Sequence, residues 1–95
     1  MRNYEIVYIL KPGMEEEAVN AAVARFEEVV TKGGGEIVKT DRWGNRRLAY
    51  PIDDINEGYY VLMNIKSESA IAQELERVLR LQDDVLRQLV IKIDE

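Results

Sequence analysis

The 95-residue sequence contains no cysteine and no histidine. The absence of cysteine excludes a disulfide framework, a thiolate metal ligand and a thiol nucleophile. The absence of histidine removes the side chain that most often acts as a general base near neutral pH and as a ligand for transition metals. Together the two absences exclude most catalytic sites, and we expect no metal and no cofactor.

Positive charge is also in short supply, and no long apolar run is present. The chain has 13 lysines and arginines against 18 aspartates and glutamates, so its formal net charge is -5. Because non-specific affinity for nucleic acid comes mainly from lysine and arginine neutralising phosphates, any RNA contact has to be local. No stretch approaches the roughly 18 apolar residues that span a bilayer. We therefore expect no membrane contact.

The beginning and the length of the chain indicate its setting and its organisation. The first residues lead directly into a strand pattern and lack the charged, apolar and cleavage-site regions of a secretory signal. With the absence of cysteine, this fits a cytoplasmic protein. At 46% hydrophobic residues, the chain is expected to form one domain over residues 1–95, because two shorter pieces would each be too small to bury a stable core.

Hydrophobic periodicity predicts six elements. Strand-like alternation and helix-like spacing of three and four follow one another along the chain. They place strands at 3–10, 36–52, 59–66 and 85–93, helices at 15–32 and 69–82, and a polar turn at 53–58. The order β-α-β-β-α-β is typical of the α+β ferredoxin-like split β-α-β fold. In that fold a four-stranded antiparallel sheet carries both helices on one face, with the first and third strands in the middle.

Two helices cover only one face of such a sheet, yet the strands offer apolar residues to both faces. The alternation assigns six of them to the uncovered face: Val7, Ile9, Tyr60, Leu62, Leu89 and Ile91. A contiguous apolar patch of this size usually marks an interaction surface. We therefore predict that a protein partner or a second copy of the chain covers it. Exposure of fewer than three of the six side chains in the isolated subunit would contradict this prediction.

The stretch 41–52 combines an extended pattern with three arginines, two large aromatic residues and a Gly-Asn pair. One interpretation is an ordinary strand with a solvated basic side and a bulge at Gly44 and Asn45, which would redirect the side chains after it. The other is a strand that contacts a partner. The residues alone leave both interpretations open.

The residues give little support to an enzyme. The adjacent pairs Asp53–Asp54 and Asp83–Asp84 lie where aspartate favours turn geometry. The loop Lys11–Met14 lacks the arginine of the anion-binding loop in acylphosphatases, which share the predicted topology. We therefore expect no enzymatic activity and no small-molecule substrate. A homodimeric small-ligand-binding regulatory module of ferredoxin-like fold stays open as an alternative function.

Several motifs along the chain together resemble a known family. They are the amino-terminal RNYEIVYIL, a WG pair, RRLAYPI shortly after it, and GYYVLMNI. In this order they resemble the family of the sixth protein of the bacterial small ribosomal subunit, from Met1 to about Ile93. The resemblance implies a structural role without catalysis, in a heterodimer with the eighteenth small-subunit ribosomal protein that binds the central domain of small-subunit ribosomal RNA.

The resemblance also implies roles for individual residues. The positions expected to contact RNA phosphates are Arg2, Arg46, Arg47, Arg87 and Lys92. Trp43 and Tyr50 are expected to pack or to contact the partner protein, alongside the six residues of the uncovered face, rather than to serve as platforms for base stacking.

Overall fold

Six elements follow one another in the predicted order. The computed structural model describes residues 1–52 and 54–93. Its elements are β1 (Arg2–Leu10), α1 (Glu16–Lys32), β2 (Glu36–Ile52), β3 (Ile55–Ser67), α2 (Ser69–Leu81) and β4 (Val85–Ile93). The predicted α+β ferredoxin-like arrangement is thereby confirmed. Within the described residues, no helix has the length and apolar character needed to cross a membrane.

The sheet has the strand order β2-β3-β1-β4, and all neighbours are antiparallel. β1 and β3 therefore occupy the centre, as the topology predicts. In this register Ile6 lies opposite both Met63 of β3 and Val90 of β4. Because directly opposed residues of an antiparallel ladder project from the same face, the register assigns the side chains of the paired strands to one of two faces.

One face of the sheet carries the core. The rings of Tyr8 and Phe26 meet edge-to-face, with their centroids 5.0 Å apart and their planes at 74°. Burial of each large apolar side chain in such a core contributes roughly 1.5 to 3 kcal/mol, which holds both helices on this face. The buried cluster consists of Tyr4, Ile6, Tyr8, Leu10, Val19, Ala22, Val23, Phe26, Val30, Val61, Met63, Ile65, Ala72, Leu75 and Leu79.

The hairpin between β2 and β3 differs from its predicted form. Ile52 lies opposite Ile55, so residues 55–58 extend the ladder instead of forming part of a polar turn. Asp54 has a φ of 66°, in the left-handed region that aspartate tolerates in tight turns. The turn is shorter than predicted because polar side chains are compatible with a strand that meets water. Asp53, which was expected in the same turn, lies outside the described residues.

The hydroxyl of Tyr8 allows a test of the core. Tyr8 is fully buried, and its Oη has no hydrogen-bond partner among the described residues. Since a buried unpaired hydroxyl costs roughly 1 to 3 kcal/mol, Tyr8→Phe is expected to raise the free energy of unfolding by about 1 kcal/mol near pH 7. Urea unfolding measures this, and Tyr50→Phe, at an exposed tyrosine, is the control. A loss of stability in Tyr8→Phe would contradict an unpaired hydroxyl.

The same substitution is expected to gain further in alkaline solution. Burial, followed by the nearby Glu27 carboxylate, raises the pKa of Tyr8 well above its ordinary value. Above about pH 10 the phenol therefore ionises in the unfolded chain but keeps its proton in the fold, and the wild type loses up to about 1.4 kcal/mol per pH unit. Tyr8→Phe lacks this group, so its advantage over the wild type should grow with pH in that window.

Candidate RNA and partner interface

The open face of the sheet is the face opposite the helices, and the predicted assignment of residues to it is confirmed. Val7 of β1 lies opposite Leu62 of β3 and Leu89 of β4. Ile9 lies opposite Tyr60, and Ile91 lies opposite Glu5, two residues before Val7. All six predicted residues therefore lie on the face that the core does not use.

The exposure of these six side chains differs from the prediction. Only Leu89 and Ile91 are exposed, at 54% and 42%. Because this is fewer than three, the prediction of a covering partner is not supported by these six residues. Large side chains at neighbouring positions of paired strands cover one another, and Ile9 also lies against Gly58, which has no side chain to hold it away. The other four are half-buried (Val7, Tyr60 and Leu62) or buried (Ile9).

The exposed apolar side chains of the open face concentrate along β4. Leu89, Ile91 and Ile93 alternate along this strand and are all exposed, Ile93 at 39%. We call these three residues the β4 stripe. β4 is also an edge strand, with β1 as its neighbour in the sheet. Ile93 was not among the predicted interface residues, although the period of two that identified Leu89 and Ile91 extends to it.

An aromatic pair lies on the open face near the other edge. The rings of Trp43 and Tyr60 are stacked, with centroids 6.2 Å apart and planes at 16°. The guanidinium carbon of Arg46 lies 5.8 Å from the centroid of the Trp43 ring, within the range of a cation–π interaction. The register of β2 and β3 shifts between Arg42 and Gly44, and Gly44 has a φ of 82°. The predicted bulge is thus present at Gly44, and it places Trp43 against Tyr60.

The five predicted phosphate contacts lie in different places. Arg46, opposite Gly58, and Arg87, opposite Ile9, share the open face. Two intervening strands separate them, which corresponds to about 14 Å across the sheet. The remaining three project from the helix side: Arg47 opposite Glu57, Lys92 opposite Tyr4 and Arg2 opposite Ser67. The structure therefore brings together two of the five on one surface and leaves the others on the opposite side.

Other basic residues near the aromatic pair already have partners. Lys39 forms an ion pair with Asp41, with Nζ and Oδ2 3.0 Å apart. Arg42 donates a hydrogen bond from Nη1 to Asn20 of α1. By contrast, the five predicted phosphate contacts are exposed and have no ion-pair partner among residues 1–52 and 54–93. The predicted positions therefore carry charge that is available for an external anion, as do the exposed Lys11 and Lys66, which also form no ion pair among the described residues.

The helices carry ion pairs of their own. Arg77 donates to Glu74 at 2.7 Å, and Arg80 lies 3.0 Å from Glu76. The hydrogen bond from Arg77 holds the pKa of the Glu74 carboxyl below its usual value. These pairs neutralise the basic residues of the α2 surface. The unpaired acidic residues of the helices therefore give the helix surfaces a net negative charge. An anionic partner is therefore disfavoured there.

Tyr50 lies apart from the open-face cluster. Between the paired positions Arg47–Glu57 and Ile52–Ile55, β2 contains more residues than β3, so this part of β2 bulges away from its neighbour. Tyr50 belongs to the bulged segment and is strongly exposed. The structure therefore does not bring Tyr50 together with Trp43, and a partner that touches both has to extend along the hairpin.

A cavity of about 270 Å³ lies beside the loop between β1 and α1. The Arg42 at its wall is already bonded to Asn20, and Glu16 places a negative charge next to its two cations. The described residues contain no group of three or more acidic side chains that could hold a metal ion. The cavity thus gives no specific support to the small-ligand alternative. It is lined by Lys11, Gly13, Met14, Glu16, Val19, Arg42, Asn45 and Tyr59.

Comparison with known proteins shows to which family the chain is similar. A family model described as Ribosomal protein S6 matches residues 3–92. The small ribosomal subunit protein bS6 of Moorella thermoacetica is 46% identical over 95 residues, covering 100% of this chain and 97% of the relative. The corresponding proteins of Desulforamulus reducens and Thermoanaerobacter pseudethanolicus are 50% and 52% identical, with 100% of both chains covered.

A solved structure is also similar over almost the whole chain. It is the crystal structure of 30S ribosomal protein S6 from Thermotoga maritima, with a TM-score of 0.90 and 30% sequence identity. The match covers 97% of this chain and 87% of that one. The sequence and structure comparisons therefore agree on the same kind of protein.

Proposed function

Because the chain belongs to the ribosomal protein S6 family, we propose that it binds the central domain of small-subunit ribosomal RNA together with the eighteenth protein of that subunit. Membership of the family makes the chain a structural protein of the small ribosomal subunit, located in the cytoplasmic ribosome, and not an enzyme. The RNA and the partner protein are thus the two ligands that its surface has to accommodate.

The distribution of unpaired cations carries the RNA part of the proposal. In a chain with a net charge of -5, Arg46 and Arg87 lie on the open face without an acidic partner among the described residues. Phosphate contacts made by lysine and arginine provide most of the affinity of proteins for nucleic acid. An acidic protein can therefore make local RNA contacts through this surface in spite of its net negative charge.

The proposed contacts on the helix side constrain the shape of the RNA. All three lie on the helix face of the sheet, whereas Arg46 lies on the open face. Arg47 lies in the hairpin between β2 and β3, and Arg2 and Lys92 lie at the opposite end of the sheet. An RNA that contacts all five cations has to reach both sides of the sheet. A large folded domain has that reach and a short single strand does not, which favours structured RNA as the ligand.

The β4 stripe supports the proposed contact with a partner protein. Its three side chains are exposed on the sheet face that neither of the two described helices covers. Half-buried neighbours continue the apolar surface towards the aromatic pair. Such a surface is typical of a protein contact, and we propose that the partner covers it. Of the predicted partner contacts, Ile9 is buried and can only support its neighbours, whereas Val7, Tyr50, Tyr60, Leu62, Leu89 and Ile91 reach the surface. Trp43 is exposed as well, but its ring already contacts Tyr60 and Arg46, so the proposed partner surface excludes it.

A salt titration of RNA binding tests the proposal as a whole. Binding of the chain to the central domain of small-subunit ribosomal RNA would be measured with and without the eighteenth small-subunit protein. We expect tight binding only with the partner present, and affinity that falls as salt rises because counterions are released. Absence of binding in both cases would refute the proposal and favour the homodimeric small-ligand module.

Removal of the two neighbouring arginines tests the role of the hairpin. Arg46→Ala with Arg47→Ala is expected to weaken RNA binding by on the order of tenfold or more, because charged hydrogen bonds are lost. The salt slope should fall by about one for each phosphate contact removed. Lys39→Ala is the control, since Asp41 already neutralises Lys39. Unchanged RNA affinity and salt slope in the double variant would show that this strand does not contribute to RNA binding.

A further inference from the structure

Arg46 differs from the other proposed phosphate contacts because another side chain holds it. Its guanidinium carbon lies 5.8 Å from the centroid of the Trp43 ring, and that ring is stacked on Tyr60 at 6.2 Å and 16°. No such ring contact is found for Arg47 in the described part of the chain. A guanidinium on a fixed aromatic ring samples fewer positions than one on a free side chain.

We propose that Trp43 is a positioning residue for Arg46. Tyr60, on the central strand β3, fixes the plane of the indole, and the indole fixes the guanidinium above the open face. This inference rests on the proposed binding of RNA. It adds a division of roles, in which Arg46 supplies the charge for a phosphate and Trp43 supplies the geometry without contacting the RNA.

The local backbone supports this division. The bulge at Gly44, with its φ of 82°, places Trp43 in a position where it can stack on Tyr60. Other cations of the same strand are held by different means, Lys39 by Asp41 and Arg42 by Asn20. Those two contacts neutralise the charge or occupy a donor. The indole leaves the charge and all five N–H donors of Arg46 available.

Fixation of the Arg46 side chain before RNA binds determines how much affinity Trp43→Ala is expected to lose. A long charged side chain loses rotamer freedom when it is fixed by a ligand, and prior fixation reduces that loss. Cation–π contacts at exposed sites correspond to about two- to fivefold in an equilibrium constant. Trp43→Ala should therefore weaken RNA binding about two- to fivefold. Its salt slope should stay at the wild-type value, because no charge has been removed.

A double-mutant cycle tests the coupling. Binding of central-domain RNA in the presence of the eighteenth small-subunit protein would be measured for Trp43→Ala, Arg46→Ala and the double variant. We expect Arg46→Ala to lower the salt slope by about one and to remove the effect of Trp43→Ala, so that the double variant binds like Arg46→Ala. In an Arg47→Ala background, the effect of Trp43→Ala should persist in full. Trp43→Phe should restore most of the affinity, since a phenyl ring also stacks and attracts cations.

Fluorescence provides a second measurement that does not depend on affinity. Trp43 is the one tryptophan of the sequence, so emission reports on this stack alone. Arg46→Ala should shift the emission of the free protein, and RNA binding should change the emission of the wild type but much less that of Arg46→Ala. Arg47→Ala serves as the matched control and should leave the free-protein spectrum unchanged.

The outcomes separate this inference from the proposed function. If wild-type RNA binding is observed and Arg46→Ala weakens it, but Trp43→Ala adds its full effect in the Arg46→Ala background, the positioning role is overturned while the proposed function stands. Equal weakening of partner binding by Trp43→Ala, measured without RNA, would assign Trp43 to the protein interface and also overturn it. If the wild type binds no RNA with the partner present, both the proposed function and the positioning role of Trp43 are refuted.

Discussion

Leu89→Asp is expected to weaken binding of the partner protein by at least about a hundredfold. Leu89 is 54% exposed in the centre of the β4 stripe, so its replacement should leave the fold intact. A partner that covers this position would have to desolvate an unpaired carboxylate. The cost of several kcal/mol for such a group exceeds the roughly 2.7 kcal/mol that correspond to a hundredfold. Central interface positions are also those where substitutions have their largest effects.

Leu81→Asp is the matched control for this substitution. Leu81 is also a leucine, is 64% exposed and is the last residue of α2, on the side of the molecule away from the open face. Calorimetric titration of each variant with the eighteenth small-subunit protein gives the two affinities, and urea unfolding confirms that both variants fold. Equal affinities for both variants would mean that the partner docks elsewhere. Sedimentation of the free chain would show whether Leu89→Asp instead abolishes a homodimer.

Period-two and period-3.6 patterns were sufficient for the topology of this chain. Alternation in β1 separates buried Tyr4, Ile6 and Tyr8 from the half-buried Glu5 and Val7. The order of the elements then leaves the ferredoxin-like arrangement as the simplest one. The open face could be predicted because two helices cannot cover both sides of a sheet. These inferences depend on local spacing, which the sequence displays directly.

The grouping of the arginines could not be predicted in the same way. Strict alternation places Arg42 and Arg46 on the same face, since their numbers differ by four. In the structure Arg42 lies opposite Val61, on the core face, whereas Arg46 lies opposite Gly58, on the open face. The register shift between Arg42 and Gly44 reverses the alternation. A bulge can be suspected from glycine, but its effect on each later side chain depends on which residue is left unpaired.

The exposure of individual side chains could not be predicted from the sequence either. Alternation states which face a residue belongs to, and it contains no information on how far neighbouring side chains cover it. Ile9 shows this best, because it lies on the open face and is nevertheless only 6% exposed. Its side chain lies against Gly58, a residue that was predicted to lie in a turn. In the structure Gly58 is a strand residue, and its small size matters more than its flexibility.

Gly58→Ala is therefore expected to lower the free energy of unfolding by about 2 to 3 kcal/mol, in the upper part of the range for overpacking. A Cβ at this position would overlap with Cγ2 of Ile9 and would lie 3.1 Å from the carbonyl oxygen of Leu10. Both obstacles belong to β1, the central strand, which cannot move without disturbing the core. Urea unfolding of the variant measures the loss.

Gly33→Ala is the matched control, because its Cβ would also overlap with an isoleucine, Ile71, but mainly with Cδ1, the flexible end of that side chain. Ile71 can rotate away, so this variant should lose much less. Ile9→Leu removes the Cγ2 branch at a cost below about 1.5 kcal/mol, and in that background Gly58→Ala should cost about 1 kcal/mol less than in the wild type. If Gly58→Ala lowered the free energy of unfolding as little as Gly33→Ala, the side chain of Ile9 could move towards the open face without a large cost. Its burial would then reflect its other neighbours, and the partner surface would be more adaptable than the contact with Gly58 implies.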